Sequence, residues 1–366
     1  MVKSKNTIIL VGGWTGWHIT PLVSLSKILW PNNNYEWIGE RWWLEENISK
    51  SENIPFHPIH AEKLRREFSW KTLLIPGKML LGVFESIIII SKLKPDFIFS
   101  KWSHISIPVA FAAKILWIPF YLHESDTIPW LANRITGKFA KKIFLWFQSA
   151  SKYFPKTKTI VIWQIINPEL IALSNKWIDT VISGKIRLLV ICWSQGSQNI
   201  FNWLIKNIDR FNASFDVCVV LGLKNIGLRS QFTKAHVKTI DFANIQELWE
   251  LYNWADIAIT RWSATTLGEL DIFHIKKIIV PLPWSWWNHQ YYNALEYNTP
   301  DNLIIEEKNL YNPETIQLII QKFSCWENKK IQQIIQSSNS EKQIYLLKKT
   351  LINHEKYTSD KKIYDS

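Results

Sequence analysis

A histidine closes the glycine-rich stretch Val11–Pro21, VGGWTGWHITP, near the start of the chain. The run Thr7–Val11 before it is apolar and reads as a buried strand, and Leu22–Leu29 after it has the apolar spacing of a helix. Strand, glycine-rich turn and helix start together present backbone N–H groups and a positive helix end to a phosphate or a sugar oxygen. His18 stands at that helix start. The helix dipole favours a neutral imidazole there, able to take a proton from a hydroxyl; the alternative is a histidine that only fixes the turn. A second stretch of this kind, WSQGSQN at Trp193–Asn199, follows the apolar run Arg187–Ile191. Ser194 opens it, and its hydroxyl with the following N–H groups suits a pyrophosphate, or else is an ordinary N-cap. His123 and Glu124 end another strand-like run, which makes Glu124 a competing base or an orienter. Glu269 is suited to accept both hydroxyls of a ribose, the alternative being a solvated helix carboxylate.

These groups need a scaffold of alternating strands and helices. Expected strands are Thr7–Val11, Tyr35–Ile38, Phe97–Ser100, Phe120–His123, Lys142–Leu145 and Thr159–Ile162, with helices at Leu22–Leu29, Ile107–Leu116 and Trp130–Ala140 among those between. The pattern restarts with a strand at Arg187–Ile191 and a helix at Ile200–Ile208. Further strands follow at Asp216–Leu221, Ile257–Thr260 and Lys277–Pro281. Alternation of this kind predicts an α/β fold of two parallel, Rossmann-like domains with a cleft between them. The expected division is a first domain at 1–163 and a second at 164–340, with 341–366 a helix packing back on the first domain followed by a basic tail.

Composition narrows the class. The 366 residues suffice for two cores, and 47% hydrophobic with 20% charged residues fits a folded protein. A net charge of +12 points to nucleic acid, an anionic membrane surface or an anionic substrate. Met1–Lys5 and the short apolar run after it do not read as a signal peptide. No stretch reaches the roughly 18 apolar residues of a spanning helix. Cys192, Cys218 and Cys325 lack metal spacing and read as free thiols of a reducing compartment.

Tryptophan is the anomaly. There are 22 Trp and only 12 Gly, a combined share of about 9% that would be ordinary for glycine alone. Many of these Trp fall in turn contexts, such as Gly13-Trp14-Thr15 and Pro283-Trp284-Ser285-Trp286-Trp287. An indole neither adopts φ > 0 readily nor lets a ligand approach the backbone, whereas glycine does both. The expectation is a gene that uses UGA for glycine, with glycine in the native protein at Trp14, Trp17, Trp42, Trp43, Trp102, Trp117, Trp130, Trp163, Trp193, Trp262, Trp284, Trp286 and Trp287. Trp37 and Trp254 suit an aromatic. The alternative is an aromatic-rich sugar binder.

With glycine at those positions the chain reads GGGTGGH at Gly12–His18, HESDTIPGLANR at His123–Arg134, GSQGSQN at Trp193–Asn199, RGSATTLGEL at Arg261–Leu270 and PLPGSGGNHQYYNA at Pro281–Ala294. In order and spacing this set resembles the MurG-type glycosyltransferases, over about residues 6–345. The resemblance implies a GT-B fold, inversion at the anomeric carbon, and UDP-N-acetylglucosamine bound mainly by the second domain. The implied acceptor is an undecaprenyl-pyrophosphoryl-muramyl-pentapeptide lipid. It further implies that Thr15, Gly16 and Trp17 face the transferred sugar and that Ser194 meets the pyrophosphate. Ile245 would pack on the uracil. Ala264, Thr265, Thr266, Leu267, Gly268 and Glu269 would wrap the nucleoside and sugar, and Gln290 would bind the sugar hydroxyls. Two positions depart from the family, which usually has Asn at Asp126 and Arg at Asn167; the first adds a charge beside the sugar and the second removes a cation near the phosphates.

Lys63–Phe84, KLRREFSWKTLLIPGKMLLGVF, interleaves cations with leucines and resembles the family's membrane-facing surface, the alternative being a solvated amphipathic helix. The expected protein is an N-acetylglucosaminyltransferase, peripheral on the cytoplasmic face of the membrane. It would need no cofactor, beyond stimulation by a divalent metal, and no nucleic acid. Rival readings are another GT-B enzyme acting on a glycolipid, or a non-catalytic sugar-nucleotide binder if the tryptophans are genuine. A dinucleotide oxidoreductase is disfavoured because neither turn is GxGxxG with an acidic residue about 20 positions on.

Overall fold

Alternating apolar strands and helices form two separate parallel sheets in the computed structural model, which describes residues 5–13, 16–29, 33–40, 43–62, 75–101, 103–176, 184–192, 197–283, 288–323 and 338–351. The chain divides into one unit of Met1–Pro168 with Ser340–Ser366 and another of Glu169–Asn339. The first sheet holds β1 (Asn6–Val11), β2 (Asn33–Gly39), β3 (Phe56–Pro58), β4 (Phe97–Lys101), β5 (Phe120–Glu124), β6 (Lys142–Leu145) and β7 (Thr159–Val161). Their order is β3-β2-β1-β4-β5-β6-β7, so the progression reverses between β1 and β4. Helices α1 (Gly16–Leu29), α2 (Trp43–Ser51), α3 (Ile75–Leu93), α4 (Ser106–Ile115) and α5 (Leu131–Thr136) make its connections, and α6 (Pro168–Ser174) leads onward.

Both faces of this sheet are covered, as parallel strands require. Ile8 and Leu10 of β1 pack with Phe99, Tyr121 and Phe144 against Leu22 and Leu25 of α1. Ile9 and Val11, one residue out of phase, face Ile98 and Leu122 and the α4 side chains Val109 and Ala113. The helix α14 (Ser338–Leu351) joins the first of these clusters through Leu347 and Leu351. Trp37 is fully buried, with Nε1 donating to Gly12 O at 3.0 Å, so a large aromatic fits there with its one donor satisfied.

The second sheet holds β8 (Ile186–Ile191), β9 (Phe215–Val220), β10 (Lys238–Ile240), β11 (Ile257–Thr260), β12 (Lys276–Ile279) and β13 (Leu303–Ile304), in the order β10-β9-β8-β11-β12-β13. Its helices are α7 (Gln198–Lys206), α8 (Ile208–Ser214), α9 (Arg229–Lys234), α10 (Ile245–Trp254), α11 (Ala264–Ile272), α12 (His289–Leu295) and α13 (Pro313–Phe323). Here the order reverses between β8 and β11. Arg187 and Asp256 pair in both contacts of a buried fork, Nε to Oδ2 at 2.9 Å and an Nη to Oδ1 at 2.8 Å, at the start of these two strands. The fork aligns the N-terminal ends of the reversal point. Cys192 and Cys218 are free and buried, and burial raises both thiols; Cys325 lies outside the described residues.

Two expectations are corrected and three short strands are added. Helix α1 begins at Gly16 rather than Leu22 and takes Pro21 inside it, which brings His18 into the first turn. Helix α5 stops at Thr136, well short of Ala140, because Gly137 and the residues after it turn back to deliver β6. Three short edge strands, β3, β10 and β13, were not read from the sequence, two or three residues being too few for a periodicity to register.

One backbone conformation bears on the tryptophan anomaly. Trp117 ends the turn after α4 at φ 60° with 83% of its surface exposed, while Ile118 N–H returns to Ala113 O at 2.9 Å. This is the left-handed helix-terminating position that glycine favours. For an L-residue it costs roughly 1–2 kcal/mol. Lys114 Nζ lies 4.8 Å from the indole centroid, a contact worth about 0.5–1 kcal/mol at an exposed site. Strain therefore outweighs the contact, and Trp117→Gly is expected to stabilise the first unit by about 0.5–1 kcal/mol. Urea denaturation reads this directly, and a midpoint that falls on substitution contradicts it.

Candidate active site

In the first unit the candidate groups gather where β1, β4 and β5 end. Trp14 and Thr15 lie outside the described residues, and for Gly16, Trp17 and His18 the backbone alone is described, as the opening of α1. Just before them, the Glu45 carboxylate of α2 lies against Gly13, where a Cβ would have to displace it. Glu45 also accepts from Glu40 N–H at 3.0 Å, tying the turn after β1 to the end of β2.

Lys101 and His123 are register partners at the ends of β4 and β5, and both are fully buried. Lys101 Nζ donates to His123 Nδ1 at 2.8 Å, which leaves the ring proton on Nε2. Among the described residues that Nε2 is buried without a partner. Burial, then the Lys101 charge, holds the imidazole well below its ordinary range, so it stays neutral. Glu124 follows. Its Oε1 accepts Asp126 N–H at 2.8 Å and its Oε2 accepts Asn133 Nδ2 at 2.7 Å. Burial and the neighbouring Asp126 raise the Glu124 carboxyl, and burial lowers the Lys101 ammonium. With both oxygens engaged, Glu124 ties the Ser125–Asn133 loop to the end of β5. Asp126 accepts Trp130 Nε1 at 3.0 Å, so at Trp130 the indole has a use, unlike at Trp117.

Asn167, half-buried, immediately precedes α6. Nearby Gln164 is buried, and among the described residues neither of its amide atoms has a hydrogen-bond partner. Sequence reasoning missed Lys101, Glu45 and Gln164. The signal for Lys101 was a lysine closing the apolar run Phe97–Ser100, where a solvated residue is the ordinary expectation.

In the second unit, Ser194 lies outside the described residues, but the flanks of its turn are in place. Ser197 holds the N-cap position of α7 without a side-chain capping bond, and Arg261 Nε, just past β11, donates to its Oγ at 3.0 Å. Arg261 also pairs with Glu307 and points Nη1 at the carbonyls of Val280 and Pro281 beyond β12. It therefore joins the C-terminal ends of three strands. Ile245, half-buried, opens α10 behind a capping box in which Asn244 and Glu247 exchange bonds of 3.0 and 2.8 Å.

Ser263 caps α11, whose Ala264, Thr265, Thr266, Leu267 and Gly268 are all buried. Leu267 belongs wholly to the core, and among the described residues Thr265 Oγ1 is buried with no partner. Glu269 accepts Tyr252 Oη at 2.8 Å, and burial raises its carboxyl to about 7. Gln290 Oε1, on α12, accepts Leu282 N–H at 2.9 Å. Trp262 is buried edge-on to Tyr297, so it too packs as an aromatic.

Residues 8–145 match the glycosyltransferase family 28 N-terminal domain, and residues 187–351 match its C-terminal domain. The chain belongs to glycosyltransferase family 28. Within this family it is 32% identical, over 75% of its length and 77% of the other, to the UDP-N-acetylglucosamine–N-acetylmuramyl-(pentapeptide) pyrophosphoryl-undecaprenol N-acetylglucosamine transferase of Legionella pneumophila strain Corby. Among solved structures it is similar to MurG of Acinetobacter baumannii, with a TM-score of 0.72 at 18% identity, covering 94% of this chain and 99% of that one. It is also similar to the UDP-GlcNAc 2-epimerase of Neisseria meningitidis, at TM-score 0.57 and 14% identity over 94% and 99% of the two chains. At such identities the structural likeness speaks to fold alone. The fold class is α/β GT-B, with two Rossmann-like parallel-sheet domains.

The Glu124 network yields a measurable consequence. Asn133→Ala leaves Oε2 without its donor in a buried site, which is expected to lower stability by about 1–3 kcal/mol. Chemical denaturation measures it, and an unchanged midpoint means that water replaces the amide at no cost.

Proposed function

We propose that this protein transfers N-acetylglucosamine from UDP-N-acetylglucosamine to an undecaprenyl-pyrophosphoryl-muramyl-pentapeptide lipid. The observation that carries the reading is the identity to the Legionella transferase across three quarters of the chain, with both family 28 domains matched. In the reaction the C4 hydroxyl of the muramyl sugar attacks the anomeric carbon. The new C–O bond forms on the face opposite the breaking bond to UDP, which inverts the configuration. His18 takes the hydroxyl proton, helped by its place in the first turn of α1, where the positive helix end favours a neutral imidazole. Negative charge developing on UDP meets the helix start after β8, with Ser194 in its turn. Glu269 accepts the ribose hydroxyls, Ile245 lies along the uracil, and Gln290 binds the sugar. Thr15, Gly16 and Trp17 face that sugar, with Asp126 beside it, and Asn167 lies near the phosphates. The displacement as written uses no cofactor; a divalent ion would act on the leaving diphosphate.

Membrane contact is assigned to α3 and α4, which pack together. Leu80, Phe84 and Ile88 recur every fourth residue along α3 and are 71%, 61% and 52% exposed. Phe111 and Ile115 of α4 are exposed as well, and Lys92 and Lys114 supply cations, while Lys78 is paired with Glu62 at 2.8 Å. Residues 63–74 of the basic stretch lie outside the described residues. Among the described residues no helix is long and apolar enough to cross a membrane. An apolar stripe with flanking lysines suits the headgroup region of an anionic leaflet, and a UDP-sugar donor places that leaflet on the cytoplasmic side. The native chain carries glycine at the turn positions Trp14, Trp17, Trp117 and Trp193, a reading supported by the conformation of Trp117; the packed indole of Trp262 and the hydrogen-bonded one of Trp130 do not add to it.

Two measurements test this reading. Labelled sugar should pass from UDP-N-acetylglucosamine to a muramyl lipid acceptor, and His18→Ala should lower kcat by roughly 10²-fold with donor KM little changed. A near-normal rate moves the proton acceptor elsewhere. Flotation with acidic liposomes should recover the protein and lose it when Leu80, Phe84 and Ile88 are all made Ser; retained binding removes α3 as the contact.

A further inference from the structure

Helix α10 is fastened by its capping box and sinks Tyr252 completely into the second unit, its ring 5.3 Å from that of Phe273. From there the phenol reaches a single polar atom, Glu269 Oε2 on α11, at 2.8 Å. Among the described residues no other hydrogen bond reaches this carboxylate, so Oε1 remains open. One turn back on α11, on the same helix face, the Thr265 hydroxyl is buried with no partner among the described residues. A carboxylate held by one oxygen, with an unspent hydroxyl one turn away, is a site built for a ligand that brings its own hydroxyls.

We propose that Tyr252 is a positioning residue for the donor nucleoside: it clamps Glu269 by Oε2 so that Oε1 faces the ribose diol, with Thr265 as an additional partner. The proposal rests on the reading of Glu269 as the ribose contact. A donor to the carboxylate favours its ionised form, which is the form that accepts two hydroxyls. Burial works the other way, and Tyr252 is the one ionisable group acting on Glu269 among the described residues. UDP affinity should therefore fall as pH drops below about 7, and losing the phenol should move that fall to higher pH.

Calorimetric titration with UDP and with 2′-deoxy-UDP, on the full chain across the neutral pH range, tests this. For Tyr252→Phe at neutral pH, UDP should bind about 10-fold more weakly, the preference for UDP over 2′-deoxy-UDP should shrink, and the pH midpoint should rise. At saturating donor kcat should change little. The ratio of the two affinities is insensitive to any loss of folded protein, so it keeps its meaning if the variant is less stable. Unchanged preference and pH profile in Tyr252→Phe, alongside weakened UDP binding by Glu269→Gln, overturns the positioning role. Parental affinity in Glu269→Gln instead removes the ribose reading beneath it.

Discussion

Parallel strands must be joined by crossovers of one hand, and this constraint organises both halves of the molecule. Where the strand order reverses, successive crossovers leave on opposite faces and the strand ends part, opening a crevice at their C-terminal edge. The reversal falls between β1 and β4 in one sheet and between β8 and β11 in the other. Gly13, Lys101 and Glu124 gather at the first edge, and Ser197, Arg261 and Ser263 at the second. Lys101 and Glu124 close strands of the first sheet and Arg261 directly follows β11, so the packed strands fix where these three stand.

The two ends of the strands are treated differently. At the N-terminal end of the second sheet, Arg187 and Asp256 satisfy one another, and Arg187 N–H adds a third bond to the same carboxylate at 3.0 Å. At the C-terminal ends, buried polar atoms are left over: among the described residues His123 Nε2 and Thr265 Oγ1 have no partner. Burial there also pushes Glu124 and Glu269 toward their protonated forms. Unspent hydrogen bonds and raised carboxyls cost stability, and at this edge a ligand can supply the missing partners.

Much of this was legible in the residues. Long apolar runs such as Thr7–Val11 and Ile257–Thr260 announce strands buried on both faces, and the restart at Arg187 announces the second sheet. Edge strands of two or three residues carry no period, and the start of α1 was masked by Pro21, which reads as a boundary but lies inside the helix. Lys101 escaped because a buried lysine is recognisable only by the partner opposite, and His123 comes beside it through sheet register rather than proximity in the chain. Tyr252 escaped for the same reason: its bond to Glu269 joins two helices.

The tryptophans join the sequence to the chemistry. At Trp37, Trp203 and Trp262 the indole is buried and packed, and its size is used. At Trp117 it stands in solvent on a backbone that favours glycine. The turns that must let a sugar nucleotide approach the backbone make the same demand on Trp14, Trp17 and Trp193, because a side chain there occupies the place of the ligand. The whole account of the site rests on that demand. Peptide mass spectrometry of the protein isolated from its source cells tests it most directly. Glycine at positions 14, 17, 117 and 193 is the predicted result, and tryptophan at 14 and 193 would contradict it.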